Sequence, residues 1–127
     1  MKVLALDYGS ARTGVAVSDP TGTLARPLCT VQGAVTEPGL ARLGELVREH
    51  EAERIVVGLP LTLRGEQGAQ AEETMRFVDL LRAAVDVPVE TFDERFTTTL
   101  AGPGEGDDAR AAAHLLSDYL EWSKGRS

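Results

Sequence analysis

The chain has 127 residues, of which 43% are hydrophobic and 26% are charged. This length fits one domain, predicted over residues 1–127, and the composition is typical of a folded globular protein. Thirteen basic residues against twenty acidic ones give a formal charge of −7, which argues against a protein that coats nucleic acid through bulk positive charge. A nucleic-acid site on this chain has to be local.

The cysteine content and the hydropathy pattern both favour a cytoplasmic protein. Cys29 is the only cysteine, so it cannot form an internal disulfide. The first apolar stretch ends at Asp7 and is too short for a signal sequence, and no later run approaches the length needed to span a membrane. We therefore expect no membrane partner.

The first part of the chain predicts three strands joined by turns. Residues 2–7 are mostly apolar and end in a carboxylate, and a turn around Gly9 leads into a second strand over residues 13–18. A third strand is expected over residues 24–31, where Pro27 lacks the N–H of a central strand and so indicates a sheet edge. The three strands should form an antiparallel meander.

The rest of the chain alternates helices with strands. Thr36 and Pro38 predict the start of a first helix, and residues 54–60 form an apolar run without alternation, which is typical of a parallel strand covered on both faces. A second helix follows, then a strand over residues 87–92, and a final helix from about residue 107 to 122. The predicted fold is α/β, a mixed five-stranded sheet with three antiparallel and two parallel strands and helices on both faces.

Three carboxylates far apart in the sequence are expected to converge. Asp7 and Glu94 follow apolar strands, at the strand ends where ligands collect in such sheets. Asp108 begins the last helix, on the inward stripe that also holds Ala111, Ala112, Leu115, Tyr119 and Trp122. Oxygen ligands suit Mg²⁺ or Mn²⁺, and one or two such ions would support phosphodiester hydrolysis.

Each of these carboxylates also has a plain structural interpretation. Asp7 could cap the turn that follows it, and Glu94 could be a surface residue paired with Arg95. Asp107 and Asp108 both stand where a helix N-cap is wanted. Spacing alone leaves these alternatives open.

The ordered motifs resemble the YqgF/RuvX family through nearly the whole chain. They are residues 6–10 with Arg12, residues 14–20 and 55–60, Gly68 with residues 70–71, residues 93–95 with residues 97–98, and Asp108 with residues 111–112. The resemblance implies a ribonuclease H-like fold and a nuclease that matures the 5′ end of pre-16S ribosomal RNA, or alternatively one that resolves Holliday junctions. It implies that Asp7, Glu94 and Asp108 are the catalytic metal ligands, as the residue pattern also suggests.

Arg12, Arg95 and Ser18 are the candidate substrate-binding residues, because guanidinium groups bind phosphate and Ser18 closes a strand. The expected partner is structured RNA or, alternatively, branched DNA, and a homodimer would suit a four-way junction. The family's basic helical segment is replaced here by the acidic, glycine-rich residues 100–107. This difference implies weaker binding, help from a partner or second subunit, or loss of activity.

Two other functions compete with a nuclease. The missing basic segment and the acidic charge favour a non-catalytic RNA-binding adaptor. The motif at residues 7–10 also resembles the phosphate loop of actin-like and sugar-kinase ATPases, but those proteins use two such domains and this chain has room for one.

Overall fold

The first three strands pair as an antiparallel meander. In the computed structural model, which describes residues 1–60, 68–93 and 108–124, they are β1 (Val3–Asp7), β2 (Arg12–Ser18) and β3 (Ala25–Gln32). β3 is an edge strand and contains Pro27, as predicted, and its pairing with β2 shifts register between Val15 and Ala16. The meander supplies three of the five described strands.

Two further strands extend the sheet from the other side of β1. The chain continues through α1 (Glu37–Glu49), β4 (Arg54–Leu59), α2 (Ala69–Ala84), β5 (Val89–Asp93) and α3 (Asp108–Lys124). The described strands lie in the order β3-β2-β1-β4-β5, with β4 parallel to both β1 and β5. The predicted α/β fold, with three antiparallel strands followed by two parallel ones, is confirmed.

The sheet separates two hydrophobic cores. Leu4 and Leu6 of β1 face α1 and α2, whereas Val3 and Ala5 alternate to the opposite face, which α3 covers. Asp7 has the parity of Val3 and Ala5, so the alternation places its side chain on the α3 face. Helices therefore cover both faces, and α3 is the helix on the face to which Asp7 belongs.

Local sequence signals explain where the helices begin and which faces they bury. Thr36 caps α1 as predicted, because its hydroxyl accepts a hydrogen bond from the backbone N–H of Gly39. The buried face of α2 includes Phe77. Trp122 of α3 is 40% exposed, although it was predicted to lie on the inward stripe. None of the helices in the described part of the chain is both long and apolar enough to cross a membrane.

Candidate functional site

Asp7 is the last residue of β1, and its carboxyl group is partly buried against α3. Burial raises the pKa of this carboxyl above its usual value, and the negative charge of Asp108 raises it further. Asp108 is the first residue of α3, and its backbone packs against Gly14, the partner of Asp7 in β2. The structure brings together two of the three acidic residues that the sequence singled out.

Gly14 allows this approach. It lies directly opposite Asp7 in the pairing of β1 with β2, so both residues face α3. A β-carbon built on Gly14 would stand 1.8 Å from the carbonyl oxygen of Asp108, a distance that no real side chain could occupy. The first residue of α3 thus fills the space that a side chain at position 14 would take, next to Asp7.

Arg12 completes the described part of the site. It begins β2, two residues before Gly14 and on the same face of the strand. Its Nε lies 3.1 Å from Oδ2 of Asp108, with the two side chains 58% and 30% exposed. Arg12, predicted to bind substrate, therefore lies beside a predicted metal ligand.

The donor set fits a hard divalent cation. Asp7 and Asp108 offer only carboxylate oxygens, which suit Mg²⁺ or Mn²⁺, and a cation between them would relieve the repulsion that raises the Asp7 pKa. Among residues 1–60, 68–93 and 108–124, no group of three or more His, Cys, Asp or Glu side chains is placed to hold a metal ion. Asp7 and Asp108 form a pair, to which a third ligand would have to be added.

Glu94 and Arg95, the other predicted site residues on the last strand, lie outside the described residues, as do Asp107 and the glycine-rich residues 100–107. β5 is described as far as Asp93, which pairs with Leu59 of β4. Whether Glu94 joins Asp7 and Asp108 thus stays a prediction.

Ser18 is not part of this site. Because β2 runs antiparallel to β1, the end of β2 lies beside the start of β1, opposite the end that carries Asp7. Ser18 is buried, and its hydroxyl accepts a hydrogen bond of 2.8 Å from the backbone N–H of Val3. The expectation that Ser18 lies near the carboxylates is corrected: the residue closes a strand, but at the other end of the sheet, and its hydroxyl joins β2 to β1.

Gly14 is the residue of this site to which the sequence analysis gave no role. A glycine inside an apolar strand often marks a close approach of another backbone, so a signal was present. The backbone that approaches Gly14 belongs to the first turn of a helix far along the chain. Local sequence does not predict such a contact.

The concave surface between the C-terminal ends of α1 and α2 is separate from the carboxylates. It is lined mainly by small and aliphatic side chains, including Val47, Ala52, Val85 and Val87, with Arg48 and Asp86 at its border. It lies near the start of β5, whereas Asp7 ends the parallel strand β1. Neither Asp7 nor Asp108 lines this concave surface.

Known proteins resemble this chain over nearly its whole length. The family model described as "RuvX: Holliday junction resolvase" matches residues 1–122. A protein from Chloroflexus aurantiacus is 50% identical over 131 residues, covering 94% of this chain and 86% of the relative. A protein from Roseiflexus sp. is 46% identical over 132 residues, covering 94% of each chain. Both relatives carry the name "Putative pre-16S rRNA nuclease", so the resemblance seen in the motifs is confirmed.

The fold is shared with a solved structure of much lower sequence similarity. RuvC of Thermus thermophilus, solved in complex with a Holliday junction substrate, superposes with a TM-score of 0.66 at 16% identity. The match covers 98% of this chain and 96% of RuvC. At this identity the likeness concerns the fold alone, and it confirms the predicted ribonuclease H-like architecture.

Proposed function

Because the chain belongs to the RuvX family, we propose that it is a nuclease that hydrolyses phosphodiester bonds with the help of divalent metal held by Asp7, Asp108 and Glu94. The observation that carries this proposal is the packing of the start of α3 against Gly14, which brings Asp108 beside Asp7 at the end of β1, where Arg12 adds a positive charge. Two carboxylates and one guanidinium on the same rim provide groups for a metal ion and for a phosphate.

Glu94 is the proposed third ligand. It follows directly on β5, and because β5, β4 and β1 run parallel, β5 ends at the same rim as Asp7. Glu90 and Phe92 of β5 both contact Tyr119 of α3, and the alternation of a strand would turn Glu94 to the same face. This alternation supports Glu94 as the third ligand.

The proposed roles follow from the chemistry of each group. Bound Mg²⁺ or Mn²⁺, as one or two ions, would supply positive charge that favours attack of water on phosphorus and stabilises the leaving oxygen. Asp7 and Asp108 would hold and orient the metal, with Asp7 fixed by its position in the sheet. Arg12 and Arg95 would bind non-bridging phosphate oxygens and align the backbone of the nucleic acid.

The names of the relatives support pre-16S ribosomal RNA as the substrate. We propose that the protein acts on the 5′ end of this RNA, in the cytoplasm. The description of the family supports a second candidate, the Holliday junction, for which a homodimer would present two sites. Both substrates call for the same hydrolysis at the same carboxylates. The difference between them lies in what binds the nucleic acid outside the carboxylate pair.

Cleavage assays with both substrates test the proposal. Labelled 5′-extended ribosomal RNA and a four-way DNA junction are incubated with the protein in Mg²⁺, Mn²⁺ or chelator. We expect metal-dependent cleavage that Asp7→Asn and Asp108→Asn abolish. Asp79→Asn, which removes an exposed carboxylate on α2, is the matched control and should leave cleavage unchanged.

The comparison of substrates then decides between the functions. Preferential cutting of RNA supports the maturation nuclease, and preferential cutting of the junction supports the resolvase. Metal-independent RNA binding that survives Asp7→Asn, with no cleavage of either substrate by the folded protein, would overturn the proposal in favour of an RNA-binding adaptor.

A further inference from the structure

The two carboxylates of the site differ in their counter-ions. Asp108 forms an ion pair with Arg12, whose Nε lies 3.1 Å from Oδ2. No basic side chain in the described stretches of the chain forms an ion pair with Asp7. Within the described part of the chain, a guanidinium thus pairs with Asp108 and not with Asp7.

Arg12 and a divalent cation would use the same carboxylate. A cation bound between Asp7 and Asp108 would stand within a few ångströms of the guanidinium, and like charges at that distance repel. Moving Arg12 costs little, because its side chain is 58% exposed and ion pairs of exposed side chains contribute little to stability.

The backbone of Arg12 is fixed by strand pairing, whereas its exposed side chain has room to rotate. Residue 12 pairs with Gln32 of β3, so its position in the sheet is fixed. Its side chain leaves β2 on the α3 face, the face that carries Asp7 and Asp108. A rotation of this long side chain can therefore move the guanidinium away from Asp108 without leaving the rim.

We propose that Arg12 is a displaceable counter-ion of Asp108: it neutralises this carboxylate when no metal is bound, and it moves to a phosphate of the nucleic acid when a divalent cation enters. This inference rests on the proposed function, since it requires that Asp108 is a metal ligand. It adds that the metal and the nucleic acid bind cooperatively, through a single arginine.

The cooperativity follows from linkage. Metal binding frees a guanidinium for phosphate, and a phosphate that draws Arg12 away leaves Asp108 available to metal. By thermodynamic necessity each ligand raises the affinity for the other by the same factor. Without nucleic acid, Arg12 should therefore weaken metal binding.

Calorimetric titration of the full chain with Mn²⁺, in the absence of nucleic acid, tests this directly. Arg12→Gln should bind Mn²⁺ about three- to tenfold more tightly than the wild type, because the competing charge is gone. Arg26→Gln makes the same change of net charge at an exposed position of edge strand β3 and is the control, with unchanged affinity expected. Equal or weaker Mn²⁺ binding by Arg12→Gln would overturn the proposal.

A second readout follows the guanidinium itself. The Nε–H resonance of Arg12, assigned by its loss in Arg12→Gln, should shift during a Mg²⁺ titration in step with metal occupancy. A resonance that stays unchanged at saturating Mg²⁺ would contradict displacement even if the affinities differ.

The two proposals fail in different ways. If the wild type binds Mn²⁺, Asp7→Asn abolishes that binding and Arg12→Gln leaves the affinity unchanged, then only the counter-ion role of Arg12 is wrong. If neither the wild type nor Arg12→Gln binds Mn²⁺, the counter-ion role and the metal site of the proposed function are both wrong.

Discussion

Gly14 of β2 lies against the carbonyl oxygen of Asp108, so close that a β-carbon on the glycine would stand 1.8 Å from that oxygen. Because Gly14 is also the residue opposite Asp7 in the sheet, this backbone contact sets the separation of the two carboxylates.

Gly14→Ala should therefore damage the site and the fold together. The added methyl group has to push the first turn of α3 away from β2, which we expect to lower the free energy of unfolding by about 1–3 kcal/mol. Displacing Asp108 from Asp7 should lower nuclease activity by about ten- to a hundredfold. Urea denaturation and the cleavage assay measure the two effects.

Gly44→Ala is the matched control for Gly14→Ala. Gly44 lies in α1, and the nearest atom to its added β-carbon would be a side-chain nitrogen of Arg48 at 3.6 Å, an ordinary contact. Alanine is the better helix former, so this variant should gain about 0.5–1 kcal/mol and keep full activity. If both alanine variants behave alike, the close approach at Gly14 does not control the site.

Asp7→Asn should make the metal-free protein more stable and inactive. The substitution removes a partly buried charge that repels Asp108, a gain on the order of 1 kcal/mol. Loss of the proposed metal ligand should reduce cleavage by about a hundredfold or more. The melting temperature in chelator and the cleavage rate in Mg²⁺ are the measurements.

Asp7→Asn should be more stable than the wild type in chelator, and the wild type should be the more stable of the two once metal is added. Mg²⁺ that binds the folded wild type raises its melting temperature by linkage, and Asp7→Asn should show little of this rise. If millimolar Mg²⁺ or Mn²⁺ does not change the melting temperature of the wild type, this result would argue against a metal site at Asp7.

The turn between β2 and β3 should become less stable in acid. Asp19 accepts hydrogen bonds from the hydroxyl of Thr21 and the backbone N–H groups of Thr23 and Leu24, which hold the pKa of its carboxyl at about 2. A carboxyl with a depressed pKa in the folded state stabilises the fold above its unfolded pKa of about 4. That contribution is lost as the pH falls from about 4 towards about 2.

Two variants of Asp19 separate its charge from its hydrogen bonds. Asp19→Ala should destabilise the protein at neutral pH more than Asp19→Asn, which keeps an acceptor oxygen. The difference in free energy of unfolding between the wild type and either variant should shrink as the pH of the urea denaturation experiment is lowered from 5. A difference that is independent of pH would show that the charge of Asp19 has no role in the turn.

Tyr119 joins three elements on the α3 side of the sheet. Its hydroxyl donates to Glu90 of β5 and accepts from Nη1 of Arg54 of β4 at 3.0 Å. Tyr119→Phe should therefore lower the free energy of unfolding by about 1–2 kcal/mol, since both partners are charged. Tyr8→Phe is the control: it loses one 3.3 Å bond to Glu73 and keeps its stacking on Phe77, so a change under about 0.5 kcal/mol is expected.

The sequence contained enough to predict the sheet and three members of the site, Asp7, Asp108 and Arg12. The apolar run that ends at Asp7, the cap at Thr36 and the edge proline Pro27 are local signals, and each has the structural meaning expected of it. Asp108 was placed inward from helical periodicity, and its backbone does lie on the sheet. Local signals work here because neighbouring residues determine strand ends and helix starts.

Relationships across the fold were harder to predict. Ser18 ends a strand as expected, but strand direction in the meander decides which end of the sheet that is, and it is the end away from Asp7. The ion pair of Arg12 with Asp108 joins residues that only the docking of α3 brings together. Such contacts depend on the position and tilt of a helix, which periodicity does not specify.

The division of the hydrophobic interior by the sheet also bears on how the protein loses activity. One helix, α3, covers the face that carries Asp7, while α1 and α2 close the other face with Leu43, Leu46, Phe77 and Leu81. A fluctuation that lifts the first turn of α3 separates the acidic pair but leaves the opposite core intact. On heating, inactivation should thus precede cooperative melting, and cooling should restore the enzyme without refolding of the sheet.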